Sequence, residues 1–457
     1  MTTTNDEFEQ RNANFMQWLV SSQHAEVNPK CALTDLRSIG GGRGVVALSP
    51  MEEDELVFRI PRASALTLET SNLKTLLPEA EVAALDPWLV LILVLIFETR
   101  PSSPWAPYLD LLPTDFNSLM YWSGEELSQL RGSAVLDKIG KADADDIFLN
   151  KLLPVVQRNE SAFTETCLRN VPTGMGFDEH FLITAHRMGS IIMSYSFDLE
   201  VVHENKPAKE EEEEEDSDDD EEEKEHYKAM VPLADMLNAD ADRNNCRLFE
   251  TATMLEMKTI APIEAGAELF NDYGPLPRSD LLRRYGYVTS NYAQYDVVEI
   301  SAPLLVQVAG AGLGAEDRQA RIDVLLEEGV LDDSFDLDRS LEIPEEIIVT
   351  VRTLLLSKLE YKKFQEKGKL PKPMMEPAVA KVLREVVDKR LKEYPTTLRE
   401  DQKLLEGEMR GRWRIATEVR MGEKEILVAV KESLKTVATN KRSADAEETK
   451  GGKKVKA

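Results

Sequence analysis

Three short segments carry residue types that could do chemistry. The first is Gly40-Gly41-Gly42-Arg43-Gly44-Val45-Val46-Ala47. Glycines let a backbone approach a ligand and take left-handed conformations, and a tight hairpin turn would use them equally well. No helix opening on Lys-Ser/Thr follows, so this is not a phosphate loop. The second is Met230-Val231-Pro232-Leu233-Ala234-Asp235-Met236-Leu237-Asn238-Ala239-Asp240. There Asp235 and Asn238 sit in an apolar run where burial is expected, and buried polar side chains need partners. They either cap a turn or hold a ligand. The third runs from Glu268-Leu269-Phe270-Asn271-Asp272-Tyr273-Gly274 to Tyr285-Gly286-Tyr287-Val288, with two Tyr-Gly pairs twelve residues apart. Composition alone makes these aromatic core residues.

The elements around them alternate in type. Phe8–Gln23 has helical spacing of Phe15, Trp18 and Leu19. Val45–Leu48 and Glu55–Pro61 read as strands. Trp88–Phe97, Trp122–Leu130 and Phe181–Phe197 read as helical. Order resumes at Met230 as short strands and turns up to Val288. Glu345–Tyr361, with Ile348, Val351, Leu355 and Leu359 on one face, Ala378–Tyr394 and Gly411–Val437 are expected as three further helices.

The 457 residues carry 83 acidic side chains against 55 Lys and Arg, a net charge of −28. That balance argues against a general nucleic-acid binder and allows a basic partner. The charge is concentrated: 13 of the 14 residues Glu210–Glu223 are acidic, and without them −15 remains. Such a run cannot bury apolar surface and is expected as a disordered loop. Cys31, Cys167 and Cys246 form no CxxC pair, and the five histidines are scattered. A disulfide framework and a zinc site are both disfavoured, and no metal is expected. Met1–Gln10 is polar, without a secretory pattern. The apolar run Trp88–Phe97 is half the length of a membrane helix.

Taken in order, these segments resemble the SET-domain protein lysine methyltransferases, in the branch typified by the Rubisco large-subunit methyltransferase. The glycine turn is similar to the branch's GxGxxA opening, Val231–Asn238 to VPxADxxNH, and Asn271–Val288 to its YG…YGYV ending. Trp105-Ala106-Pro107-Tyr108-Leu109-Asp110-Leu111-Leu112-Pro113 resembles WxPYLxxLP, and Val419–Leu427 the end of the helical substrate-binding domain. Within the branch, the Asn-Asp-Tyr-Gly-Pro and Leu-Leu-Arg-Arg-Tyr-Gly runs are most similar to fungal ribosomal-protein lysine methyltransferases.

The resemblance implies an α+β fold. A SET-domain β-fold of small sheets with a pseudoknot spans 25–296, after an N-terminal helix at 1–24. It contains a helical insert at about 80–197 and the acidic loop 204–226. An all-α substrate-binding lobe at 297–437 and a basic disordered tail at 438–457 follow. It also implies S-adenosylmethionine as cofactor. Gly41, Gly42 and Arg43 would meet its adenosine through backbone groups, Asn238 and Ala239 would hold it, and Tyr195 would face its carboxylate. Tyr273 would be catalytic, Asp235 would lie by the substrate groove, and Tyr285 and Phe249 would line the lysine channel. Two positions depart from the pattern: Ala239 replaces a histidine and Phe249 a channel tyrosine.

The function so implied is methyl transfer to a lysine of a large-subunit ribosomal protein, by a monomer with no nucleic acid or membrane partner. Alternatives are a histone or other nuclear target, or a SET-fold binding module without catalysis. Lys441-Arg442 and Lys453-Lys454-Val455-Lys456 resemble a bipartite nuclear import signal.

Overall fold

Residues 5–202 and 225–451 are described by the computed structural model. The acidic run Glu210–Glu223 and residues 452–457 lie outside the described residues. The chain forms two units, Met1–Phe116 with Gly140–Gly274, and Asn117–Ile139 with Pro275–Ala457. These boundaries differ from those of the sequence: 117–139 leaves the expected insert, and 275–296 leaves the expected SET segment.

The first unit holds three small sheets. Strands β1 (Glu26–Val27), β2 (Cys31–Asp35), β3 (Arg43–Ala47) and β4 (Leu56–Pro61) come early; β5 (Ser196–Glu200) and β6 (His226–Met230) form a separate pair. Then follow β7 (Asn238–Ala239), β8 (Cys246–Glu250), β9 (Met254–Thr259) and β10 (Glu268–Asn271). One sheet has the order β1-β4-β9-β8, the other β2-β3-β10-β7. In the second, β10 is antiparallel to β3 and parallel to β7. The last strand of the unit therefore ties the glycine turn to the Asn238 segment. Phe197 was expected to end a helix, but the helix is Phe177–Tyr195 and Phe197 pairs with Ala229 in the β5–β6 ladder. Order also resumes before Met230, at β6, because β6 needs β5 as its partner.

The apolar run becomes the helix Pro87–Glu98, with Asp86 accepting the Trp88 N–H at 2.9 Å and a proline at the first position. Leu89 to Glu98 are all buried. Each apolar side chain there contributes about 1.5–3 kcal/mol relative to exposure. The buried Glu98 carboxylate is satisfied by Ser71 and Ser103 hydroxyls at 2.6 and 2.5 Å. Among the described residues no helix is long and apolar enough to cross a membrane.

The second unit is mainly helical but adds a two-stranded sheet of β11 (Val297–Ser301) and β12 (Ser334–Asp338), where an all-α lobe was expected. The reason is the period-two pattern of Val298 and Ile300 facing Leu337 and Phe335, all buried. Glu345–Tyr361 is two helices, Glu345–Leu355 and Lys358–Lys367. A capping box of Ser357 and Glu360 starts the second, and Leu359, expected on the apolar face, is 76 % exposed. Trp122–Leu130 keeps only the short helix Gly124–Ser128. Pro377–Leu391 packs against the long helix Gly411–Gly451, through Val379, Leu383 and Val386 and through Ile426, Leu427 and Val430. That long helix passes through most of the expected tail, because its Ala, Lys and Glu residues favour helix and no breaker precedes Gly451.

Segment 117–139 belongs to this unit for physical reasons. Leu119, Trp122, Leu130 and Val135 share a cluster with Leu282, Ala416 and Val419. Arg412 bonds Asn117 Oδ1 at 2.8 Å and Glu126 at 2.9 Å, and Ser133 donates to Glu423 at 2.5 Å.

Candidate functional site

The glycine turn joins β2 to β3. Leu36 N–H donates to Gly42 O at 2.8 Å and Gly41 N–H to Leu36 O at 3.0 Å. Gly40 and Gly42 have φ of +83° and +63°, which disfavour any side chain. A Cβ at either would meet no atom within 4 Å, so that side of the turn is open. Gly44 is different: its Cβ would lie 2.6 Å from Leu36 Cδ1 and 2.7 Å from Glu268 Oε1. Gly44 thus permits the close approach of β3 to β10, a role the sequence reading missed within the same glycine run.

Asn238 is the hub of the site. Its Nδ2 faces three acceptors: Gly41 O at 2.9 Å, Arg43 O at 3.2 Å and Glu268 Oε1 at 2.7 Å. Burial raises Glu268 above the usual carboxylate range, while the Asn238 donor pulls it back. Ala239, next to it, keeps its backbone in the ladder opposite Asn271. Asn245, also unpredicted, clamps β10 from the other side: its side chain donates to Glu268 O at 3.0 Å and accepts from Phe270 N–H at 2.8 Å.

Arg43 turns its side chain inward. Its guanidinium donates to Asn12 Oδ1 at 2.8 Å and Leu111 O at 2.9 Å and stands 4.3 Å from the centre of the Phe8 ring. Burial lowers its pKa. The charges of Asp35 and Asp235 act on it at a distance, without a direct ion pair among the described residues. Tyr195 closes the helix Phe177–Tyr195, and burial, then the charge of Asp235, push its hydroxyl up to about 12. The field of Arg43 acts on the same hydroxyl.

Asp235, expected beside an open groove, is 6 % exposed. Its Oδ2 accepts from Tyr108 Oη at 2.5 Å. Burial pushes this carboxyl up to about 7, against the pull of Tyr108, the nearby amides and Arg43. Tyr108 was visible only as part of a motif, and its pairing with a residue 127 positions away was not.

Tyr273 follows β10, partly buried, on a turn in which Asp272 Oδ1 accepts the Gly274 N–H at 2.8 Å and Gly274 has φ of +78°. Phe249 lies on β8 opposite Glu256, 36 % exposed, with the Lys258 ammonium 5.5 Å from its ring centre. Gly41, Arg43, Tyr195, Asp235, Asn238 and Tyr273 all belong to the first unit. Tyr285 belongs to the second: it ends the helix Arg278–Tyr285, its hydroxyl is raised by burial, and its ring lies 6.4 Å from that of Tyr287.

The first-unit cluster can hold an anionic group. It offers a half-buried cation whose hydrogen bonds go to neutral oxygens, a tyrosine hydroxyl under the same field, and an open glycine turn anchored by one amide. His180 meets the Cys167 carbonyl at 3.1 Å and His186 pairs with Asp145. Both histidines are thereby used in packing.

A SET domain model matches residues 42–274, and a model described as Rubisco LSMT substrate-binding matches 315–427. The chain is 33 % identical over 371 residues to the ribosomal lysine N-methyltransferase 4 of Saccharomyces cerevisiae, covering 77 % of this chain and 72 % of that protein. It is 27 % identical over 451 residues to the N-lysine methyltransferase SETD6 of Rattus norvegicus, covering 91 % and 88 %. Its fold is similar to the solved structure of Rubisco LSMT bound to AdoMet, with a TM-score of 0.68 at 19 % identity over 94 % of this chain and 92 % of that one.

Proposed function

This chain belongs to the SET-domain protein lysine methyltransferases of the Rubisco large-subunit methyltransferase class, and we propose that it methylates a lysine of a large-subunit ribosomal protein with S-adenosylmethionine as donor. The observation that carries the reading is the half-buried Arg43 guanidinium beside Tyr195 and the open turn. A half-buried cation whose hydrogen bonds go to neutral oxygens favours an anionic ligand group, and the carboxylate of the cofactor's methionine end meets that need. The residues therefore fit the cofactor. Bound there, S-adenosylmethionine supplies an electrophilic methyl on a sulfonium.

The protein's own residues would do the rest. Gly41, Gly42 and Arg43 offer backbone groups to the adenosine, and Asn238 fixes the turn that presents them. Lysine has a pKa near 10.4, so only about one amine in a few thousand is neutral at pH 7. Aromatic surroundings from which the entering substrate displaces water disfavour the ammonium form, which suits Phe249 and Tyr273 as walls for the incoming side chain. Tyr273 would orient the reacting amine, and alignment of nucleophile and methyl supplies a large part of the acceleration.

The ribosomal target draws support from the yeast relative's name and from the net charge of −28, which suits a basic substrate. Tritiated S-adenosylmethionine and ribosomal extract test it. Wild type should label a large-subunit protein band, and Tyr273→Phe should label it at least about 100-fold less. No Tyr273-dependent band from ribosomes, but one from nuclear extract, would transfer the activity to another protein. The rat relative, whose name gives no ribosomal target, motivates that second arm. The basic residues Lys441, Arg442, Lys453, Lys454 and Lys456 support a nuclear pool. A fluorescent fusion lacking 438–457 should then lose nuclear accumulation, and unchanged distribution would dismiss the signal.

A further inference from the structure

We propose that Tyr108 is a positioning residue for the cofactor pocket, acting through Asp235 on the segment that ends at Asn238. The inference rests on the methyltransferase reading above and adds to it a residue that no part of that reading uses.

Four observations converge. Tyr108 is completely buried and gives its hydroxyl to Asp235 Oδ2 at 2.5 Å, from a part of the chain 127 residues away. Asp235 Oδ1 has no hydrogen-bond partner of proper geometry, so the Tyr108 hydroxyl is the one side chain that bonds the carboxyl, beside the Asp235 and Leu233 amides. Leu233, two residues before, holds φ of +75° while 2 % exposed. A non-glycine residue stays in that region only when its surroundings over-determine it, and such strain concentrates at functional sites. Finally, the helix Asn5–Ser21 supports both ends of the cluster. Its Trp18 ring lies parallel to Tyr108 at 6.4 Å and its Phe15 at 6.2 Å, while its Phe8 and Asn12 hold Arg43. A tyrosine on a rigid aromatic base thus fixes the strained turn from which Asn238 reaches Gly41, Arg43 and Glu268.

The consequence is a pH signature. The groups facing Asp235 are Tyr108, Tyr195 and Arg43. Burial has already raised the carboxyl to about 7. The ionised form accepts the Tyr108 O–H in a charge-assisted hydrogen bond, so it holds the segment more tightly than the neutral form does. Removing the phenol hydroxyl removes a group that favours the carboxylate, and the pKa rises further. The acid limb of cofactor binding should move up by about one to two pH units.

The experiment is calorimetric binding of S-adenosylmethionine to the full chain from pH 6 to pH 9, for wild type, Tyr108→Phe, Asp235→Asn and the double variant. Tyr108→Phe should bind about tenfold more weakly at pH 7 and recover by pH 9. Asp235→Asn should lose the acid limb, and Tyr108→Phe should add no shift in that background. An equal loss at every pH would mean a purely structural role and overturn the proposal. Absence of wild-type binding at any pH would instead overturn the methyltransferase reading, and the proposal with it. Should Tyr108→Phe fail to fold, carboxyl carbon NMR of the wild type decides: titration of Asp235 in the ordinary range near pH 4 overturns the proposal, and titration near pH 7 supports it.

Discussion

Gly422→Ala is expected to destabilise the second unit by about 2–4 kcal/mol, although alanine is the better helix former. In an exposed helix the exchange would gain up to about 1 kcal/mol. Here a Cβ would overlap Asp296 Oδ2 and Arg278 Nη2, the two ends of a buried ion pair. Arg278 and Asp296 are 5 % and 3 % exposed, and their closest approach is 2.5 Å. Neither can swing into water. Forcing such a pair apart costs about 3–5 kcal/mol, more than the propensity gain. Asp296 also accepts the Arg278 backbone N–H at 3.2 Å, in the first turn of the helix that ends on Tyr285. The substitution therefore loosens the support of Tyr285 as well. For a unit of this size the melting temperature should fall by roughly 5–15 °C in calorimetry. A fall of under two degrees would show that the helix shifts to accept the methyl and that the pair is not pinned.

The structure explains which parts of the molecule could be read in advance. Pro87–Glu98 was legible because its apolar run, its Asp86 cap and its proline all agree on one helix. Periodicity alone failed at Glu345–Tyr361, where Leu359 keeps the spacing but the Ser357–Glu360 capping box ends one helix and begins the next. It failed again at Phe197, whose strand partner Ala229 lies beyond the acidic run. The site divides in the same way. The resemblance carried by ordered motifs marked Gly41, Arg43, Asn238 and Tyr273, where composition alone left turns and core aromatics. The partners that give those residues their geometry, Glu268, Asn245, Asn12 and Tyr108, come from distant segments. A polar residue inside an apolar strand, as Glu268 is, was the one local signal available for them.

Asn238 offers the sharpest electrostatic test of the site, because aspartate has its size and lacks its donor. In Asn238→Asp, oxygen would face Gly41 O, Arg43 O and Glu268 Oε1, the last now at 2.7 Å from the amide nitrogen. Two carboxylates that close cannot both be ionised cheaply, so they would share a proton with a raised apparent pKa. Below that pKa one O–H···O bond restores part of the contact; above it the repulsion is complete. The deficit in stability relative to wild type should therefore be smallest near pH 5 and grow as pH rises through the pair's pKa. Asn238→Ala removes the donor without adding charge. It leaves half-buried Glu268 unsatisfied, at a cost of about 1–3 kcal/mol. At pH 8 the aspartate variant should be the worse of the two, with cofactor affinity down about 100-fold or more against about tenfold for alanine. At pH 5 to 6 the two should converge. Denaturant unfolding and calorimetry across pH read both quantities. If alanine proves as damaging as aspartate at every pH, the cluster is held by shape and Glu268 does not face the amide as a carboxylate.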